Sequence, residues 1–379
     1  MTEIVKATTP AGILRLVPRL VGFRPEESVV LAVFAGARTG HALRVDLPAT
    51  HDAAHLDRLA RHLVGVVCRM DGVTGFLAVV YTAQPFAAVP EALFGALAEH
   101  GHAAGLELKG EFCIAGDGWG MPGGRRRPLG ELGPLDHPDL LDPAAALRLP
   151  EVSAPARDAF RRQLHRWRTR SSGDGGTVHG FRAATAAQGA GFVRGPAFLD
   201  RAVAGLDLRA LLEGALQPHE PAEEPCPCRA ALAALAAVPD LREHLLLHVA
   251  WGAAFGERVR RAWFERDEED PLAAAALAGG EVERPSVPRI EAALEAIRDA
   301  LAHLDPAERA PLLSSAAWLH WALGRGSLAG SHLDLALAID PADRFALALA
   351  MHIGHGALPE WAYREHPGLS VEEQVRRLA

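Results

Sequence analysis

Asparagine is absent from the sequence, and Lys6 and Lys109 are the only lysines, against 37 arginines. That skew fits the codon bias of a GC-rich genome, so an arginine cluster means less here than in an average protein. Cysteine is scarce too: Cys68, Cys113, Cys226 and Cys228 are too few in 379 residues for a disulfide scaffold. Cationic side chains are in deficit, 39 against 47 acidic ones. The formal net charge of −8 argues against the protein as a whole coating a nucleic acid or an anionic membrane. Long apolar runs are missing as well. The longest uncharged stretch, 72–90, contains Gln84 and Pro85 and cannot serve as a spanning helix. The N-terminal apolar stretch is interrupted by Arg15, Pro18 and Arg19, so no secretory signal is read. The expectation is a soluble cytoplasmic protein. No G-x-S-x-G elbow, phosphate loop or dinucleotide fingerprint occurs.

What is present is enough apolar material, 49% of residues, for a folded chain with more than one core. The first 145 or so residues alternate between strand and helix periods. "SVVLAVFA" (28–35) reads as a buried strand and "HALRVDLP" (41–48) as an alternating one, with "GARTG" as the hairpin loop between them. Residues 52–70 carry Leu56, Leu59, Leu63, Val66 and Val67 at helical spacing. A strand at 73–82, a helix at 90–101 and a strand at 106–116 follow. The order is β-β-α-β-α-β, preceded by a helix near 10–20, which predicts an α/β domain with a small mixed sheet over residues 1–150.

From 117 to 150 the pattern dissolves into Gly- and Pro-rich sequence, read as a loop or boundary. Residues 151–228 read as a helical connector with flexible breaks at "SSGDGGT" (171–177) and "EPAEEPCPC" (220–228). Residues 229–379 read as an all-α domain of Ala/Leu-rich helices. Its end, "LLSSAAWLHWALGRGSLAGSHLDLALAIDP" (312–341), reads as two helices joined at "GRG". The spacing of Ala329, Ala336 and Pro341 fits the second half of a tetratricopeptide repeat.

Three stretches together resemble a known family: "LVPRLVGFRPEESVVLAV", then "RVDLP" (44–48), then "WLHWALGRGSLAGSHLDLALAIDPADRFALALAMHIGHGALPEW". They are similar to the actinobacterial domain-of-unknown-function (DUF) 4192 family, and the likeness touches both ends of the chain. The resemblance implies the two-part layout above and an actinobacterial origin, and it brings no activity with it. The family often carries a cysteine-containing, Gly-Thr-Pro-ended loop, whereas "GDGWGMPGG" (116–124) has no cysteine.

The candidate site residues gather around "GFRPEES". Pro25 fixes a turn, and Ser28 can close it through its hydroxyl. Arg44 and Asp46 are two apart on the second strand and share one face. A hairpin brings them near the first strand and towards Arg24 and Glu26, a cluster able to bind an anion or polar ligand at a sheet end. The competing reading of the same residues is a set of turn bonds and surface ion pairs. Trp119, in the glycine-rich segment, either stacks on a ligand or caps the sheet.

Of the 18 histidines, His51 and His55 at i, i+4 are the pair best spaced to share a metal. No third ligand follows at suitable spacing, and Cys226 and Cys228 lack the C-x-x-C pattern, so no metal and no cofactor is expected. The basic stretch 157–170, with Arg157, Arg161, Arg162, Arg166, Arg168 and Arg170, could contact phosphates. It could equally pair with the acidic segments "EPAEE" and "ERDEED" of the same chain, and that reading is preferred. Together these point to a non-catalytic binding or protein-interaction module, partnered through its C-terminal helices. The alternatives are an enzyme or small-ligand binder using the sheet end, and a nucleic-acid-associated factor using 157–170.

Overall fold

The computed structural model describes residues 9–135, 147–169, 207–219, 225–262, 270–354 and 356–364. The predicted break at 171–177 and the first half of the one at 220–228 lie outside them. The chain divides into two compact units, residues 1–147 and 148–379.

The first unit opens with α1 (Pro10–Val21), started by Thr9, whose hydroxyl accepts from Gly12 N at 3.1 Å, and ended by Gly22 in the left-handed region at φ 88°. It continues as β1 (Ser28–Ala35), β2 (Arg38–Asp46), α2 (Ala53–Cys68), β3 (Gly75–Tyr81), α3 (Glu91–Ala103), β4 (Glu107–Ala115) and β5 (Gly118–Gly120). The strands lie in the order β2-β1-β3-β4-β5, with only the β3–β4 pair parallel. The mixed sheet expected from the sequence is therefore present, with one strand more. β5 falls in the segment read as loop. Its glycines look like turn punctuation but serve close approach: a Cβ at Gly118 would sit 2.7 Å from Arg127 O, and one at Gly120 2.8 Å from Arg125 O. The hairpin turn is also tighter than "GARTG" suggests, because Arg38 already pairs with Ala35.

The sheet is covered on both faces. Val30, Ala32, Leu77, Val79, Tyr81, Phe112, Ile114 and Trp119 pack with Leu14 and Val17 of α1. On the other face Gly101 of α3 sits so close to Phe76 that a Cβ there would approach the ring to 2.9 Å. Burial on both sides explains why β1 and β3 are continuous apolar runs rather than alternating ones.

In the second unit no strand occurs among the described residues. Its helices are α4 (Ala154–Thr169), α5 (Leu208–Ala215), α6 (Pro227–Ala236), α7 (Pro239–Trp251), α8 (Ala253–Arg260), α9 (Pro271–Leu277), α10 (Val287–His303), α11 (Ala310–Ala322), α12 (Gly326–Ile339) and α13 (Arg344–Gly354). They share one core, to which the stretch read as a connector contributes Phe160, Leu164, Leu208 and Leu212. α6 is buried along Arg229–Ala236, as a helix apolar on all sides must be. Trp251, Trp318, Trp321 and Trp361 form a cluster in which every indole N–H donates to a backbone carbonyl, of Glu283, Leu277, Ala357 and Ala322 respectively. Trp318, Trp321 and Trp361 are buried and Trp251 is half-buried, and none of the four leaves an orphaned donor.

One buried ion pair ties the late helices to α7. Arg242 reaches both carboxylate oxygens of Asp343, at 2.9 and 3.3 Å, donates to Ser314 Oγ at 2.9 Å and stacks on Phe345 at 4.7 Å. Both charged side chains are more than nine-tenths buried. Removing one partner of such a pair strands the other charge. Asp343→Ala is expected to destabilise the helical unit by about 3–5 kcal/mol in urea unfolding, against about 1 kcal/mol for an ordinary helix-terminal substitution.

Candidate functional site

The strand registers put several of the candidate residues in one row. Ser28 of β1 pairs with Asp46 of β2 and with Tyr81 of β3; Tyr81 pairs with Ile114 of β4, and Ile114 with Trp119 of β5. The row Asp46–Ser28–Tyr81–Ile114–Trp119 crosses one end of the face that α1 covers. At about 4.8 Å per strand, Trp119 is some 19 Å from Asp46. Trp119 is therefore not grouped with the charged residues. It is 1% exposed, donates Nε1–H to Pro128 O at 3.1 Å and carries the Arg127 guanidinium 5.1 Å above its ring. A ring covered in this way closes the sheet edge and has no face left for a ligand to stack on.

Arg44 and Asp46 do share a face, and they form an ion pair of 2.6 Å. Arg44 also donates to the backbone carbonyl of Glu26 at 3.1 Å, so β2 holds the turn through a main-chain atom rather than through the Glu26 carboxylate. Arg24 and Glu26 are exposed at the mouth of the turn. Asp46 is 83% exposed, so its pair with Arg44 is an ordinary solvated bridge.

The charge that the turn alone does not require belongs to Glu27. Its φ of 37° is the one positive value at a non-glycine among the described residues. Its carbonyl accepts from Leu47 N at 2.8 Å, and its carboxylate accepts from Thr82 Oγ1 at 2.9 Å and Ala83 N at 2.5 Å. One residue thus fastens the entry of β1 to the exits of β2 and β3. "GFRPEES" starts a strand and also seals the sheet end.

Behind this seal lie two hydroxyls that sequence reasoning only half found. Ser28 is fully buried, Tyr81 is 4% exposed, and neither oxygen meets a hydrogen-bond partner among the described residues. Burial pushes the Tyr81 phenol well above its usual range. With no base on Ser28 and a phenol that resists ionising, the row contains no activated nucleophile. Burial likewise pushes the nearby Cys113 thiol up to about 12. Glu27→Ala is expected to cost the first unit about 1–3 kcal/mol in denaturant unfolding, because two backbone and hydroxyl donors lose a charged acceptor. Asp46→Ala should change stability by no more than about 0.5 kcal/mol in the same assay.

The second unit has its own polar centre. His248 on α7, 2% exposed, donates Nε2–H to Glu213 Oε1 on α5 at 3.0 Å. Arg289 of α10 grips the same carboxylate at 2.7 and 3.0 Å and also donates to His248 O. The Arg289 bonds hold the Glu213 carboxyl below its usual range. One turn earlier on α7, His244 donates to Gly256 O at 3.0 Å, and burial lowers its pKa to about 4. In the α11–α12 hairpin, His320 lies 4.9 Å from His332, and burial lowers the His320 pKa to about 3.

Asp52 is the N-cap of α2, accepting from His55 N at 2.9 Å, so His51 precedes the helix and the two imidazoles do not share a helix face. No group of three or more metal-ligating side chains occurs among the described residues. On the basic helix α4, Arg161 pairs with Asp305 and Arg168 with Glu308 at 2.5 Å. Asp305 and Glu308 precede α11, Arg161 also lies 3.6 Å from Asp158 of its own helix, and none of these acids is in the two acidic segments expected.

The buried histidines fix a pH dependence. Their folded pKa values lie below the ordinary 6.5, so the unfolded chain binds more protons than the folded one as pH falls below 6.5. Stability is complete above that value and is lost progressively towards about 4 for His244 and about 3 for His320. Between pH 7 and pH 5 each contributes a loss of about 2 kcal/mol. His320→Leu should flatten the acid limb of a urea-midpoint profile; an unchanged slope would contradict the assignment.

Among the described residues no helix is long and apolar enough to cross a membrane. No curated protein and no solved structure matches the chain. A family model, Domain of unknown function (DUF4192), matches residues 10–360. The match spans both units, and the chain belongs to that family.

Proposed function

We propose that this DUF4192 member is a non-catalytic binding protein that engages another polypeptide through its last helices. The observation that carries the reading is the outward exposure of apolar side chains: Leu335 of α12 is 44% exposed, and Leu347 and Met351, one turn apart on α13, are 43% and 66% exposed. These are three of the six large hydrophobics exposed among the described residues, on two consecutive helices. Leu347 and Met351 fall at i, i+4, the spacing with which an amphipathic helix meets a partner. We read the α11–α12 hairpin as tetratricopeptide-like, which agrees with a binding role. Ala329 and Ala336, the small residues of that pattern, are fully buried on α12. The absence of an activated nucleophile in the sheet-end row favours binding over catalysis.

The sheet end supports a second reading, a small polar ligand held against Ser28 and Tyr81, whose buried hydroxyls have no described partner. The nucleic-acid reading is weaker, since Arg161 and Arg168 are already engaged by carboxylates.

The test compares full-length protein with the Leu347→Glu/Met351→Glu variant and with Arg24→Ala in pull-downs from native lysate. Both glutamates point to solvent, so the fold should hold within about 0.5 kcal/mol per site. A polypeptide retained by wild type and Arg24→Ala but lost by the double variant is the expected outcome. Identical captured sets, or loss only in Arg24→Ala, would move the function elsewhere.

A further inference from the structure

We propose that a pocket between α5 and α8 is a binding site for a small phosphate-bearing molecule. The pocket, about 350 Å³, is lined by Arg209, Ala253, Ala254, Glu257, Arg258 and Arg261. That volume is within the range of small-molecule sites. Three guanidinium groups border one cavity in a chain whose net charge is −8.

Their charges are only partly answered. Glu257 is held by Arg260 at 2.8 and 3.0 Å and by Arg261 Nε at 2.9 Å, and the Arg260 bond above all holds its pKa at about 2, so it is a carboxylate at any working pH. Arg258 forks Nε and Nη2 onto the buried Asp270, at 2.6 and 3.2 Å. Against the three arginines that line the pocket thus stand the carboxylates of Glu257 and Asp270, and a bound anion would answer the positive charge that is left. Arg209 is exposed at the start of α5 and pairs with no described carboxylate. Arg258 Nη1 and both terminal nitrogens of Arg261 make no hydrogen bond with a described residue, leaving donors for a ligand.

The rest of the wall suits the same chemistry. Ala253 and Ala254 form the first turn of α8, which follows Gly252 at φ 95° and has no side-chain cap. Its leading N–H groups therefore add to the cationic side of the pocket. The two helices that carry the pocket are held by packing: a Cβ at Gly256 of α8 would lie 2.3 Å from His248 Nδ1, and His248 is in turn bound to Glu213 of α5. α5 and α8 are thus clamped together beneath the arginines. A phosphoryl group suits donors spread over several arginines better than a lone carboxylate, because it offers three or more acceptor oxygens in a tetrahedral array where a carboxylate offers two in a plane.

The test is isothermal titration of full-length protein with inorganic phosphate and pyrophosphate, with malonate as a carboxylate of comparable charge. The variants are Arg209→Glu, Arg261→Glu and, as a charge-matched control on α4, the exposed Arg162→Glu. Saturable pyrophosphate binding, weakened at least tenfold by Arg209→Glu and by Arg261→Glu and unchanged by Arg162→Glu, is expected. Circular dichroism checks that each variant is folded, and Arg209, lacking a described partner, is the variant whose folding is least at stake. No binding by wild type, equal weakening by Arg162→Glu, or malonate binding as tightly as pyrophosphate would each overturn the proposal.

Discussion

A guanidinium cannot shed its charge on burial, so every arginine drawn into a core has to meet a carboxylate or carbonyl there. The helical unit is organised by that constraint. Arg229 meets Asp299, Arg242 meets Asp343, Arg258 meets Asp270 and Arg289 meets Glu213, each pair joining residues of different elements. Alanine-rich helices have few large side chains with which to set their relative positions. The forked pairs supply the registration that the small residues do not, and the tryptophan cluster fills the space they leave. Because nearly all cations in this chain are arginines, the ties of Arg242, Arg258 and Arg289 are bidentate where lysine would offer a single point of contact.

The first unit meets a related constraint with one residue. Three strand ends converge where β1 begins, and their backbone groups need partners away from water. Glu27 answers with a carbonyl for β2 and a carboxylate for the segment leaving β3, and it adopts a left-handed backbone conformation to do so. The strain is local and is offset by charge-assisted bonds. Behind that end lie the buried hydroxyls of Ser28 and Tyr81, whose oxygens have no described partner.

Much of the first unit was legible because burial on both faces leaves continuous apolar runs bounded by turns, as at 28–35 and 75–81. β5 was not, since Gly118 and Gly120 read as turn residues while their real role is to admit the Arg125–Arg127 backbone. Tyr81 was hidden inside an apolar run, and its hydroxyl becomes notable only when the register sets it beside Ser28. Glu27 was passed over because glutamate carries no turn signal of its own; the clue was a motif with more charge than a turn uses. The arginine pocket had no readable spacing at all. Arg209 and Arg258 are joined by helix packing and not by any periodicity.

The exposed side chains of α12 and α13 are the place at which we propose that this protein meets a polypeptide partner. Photo-crosslinking inside the native cell tests it most directly, with a benzophenone amino acid placed at Met351 in one strain and at Arg162 in another. A discrete adduct with one other polypeptide from position 351, absent from position 162, is the result predicted. No adduct at 351, or the same adducts from both positions, would contradict it.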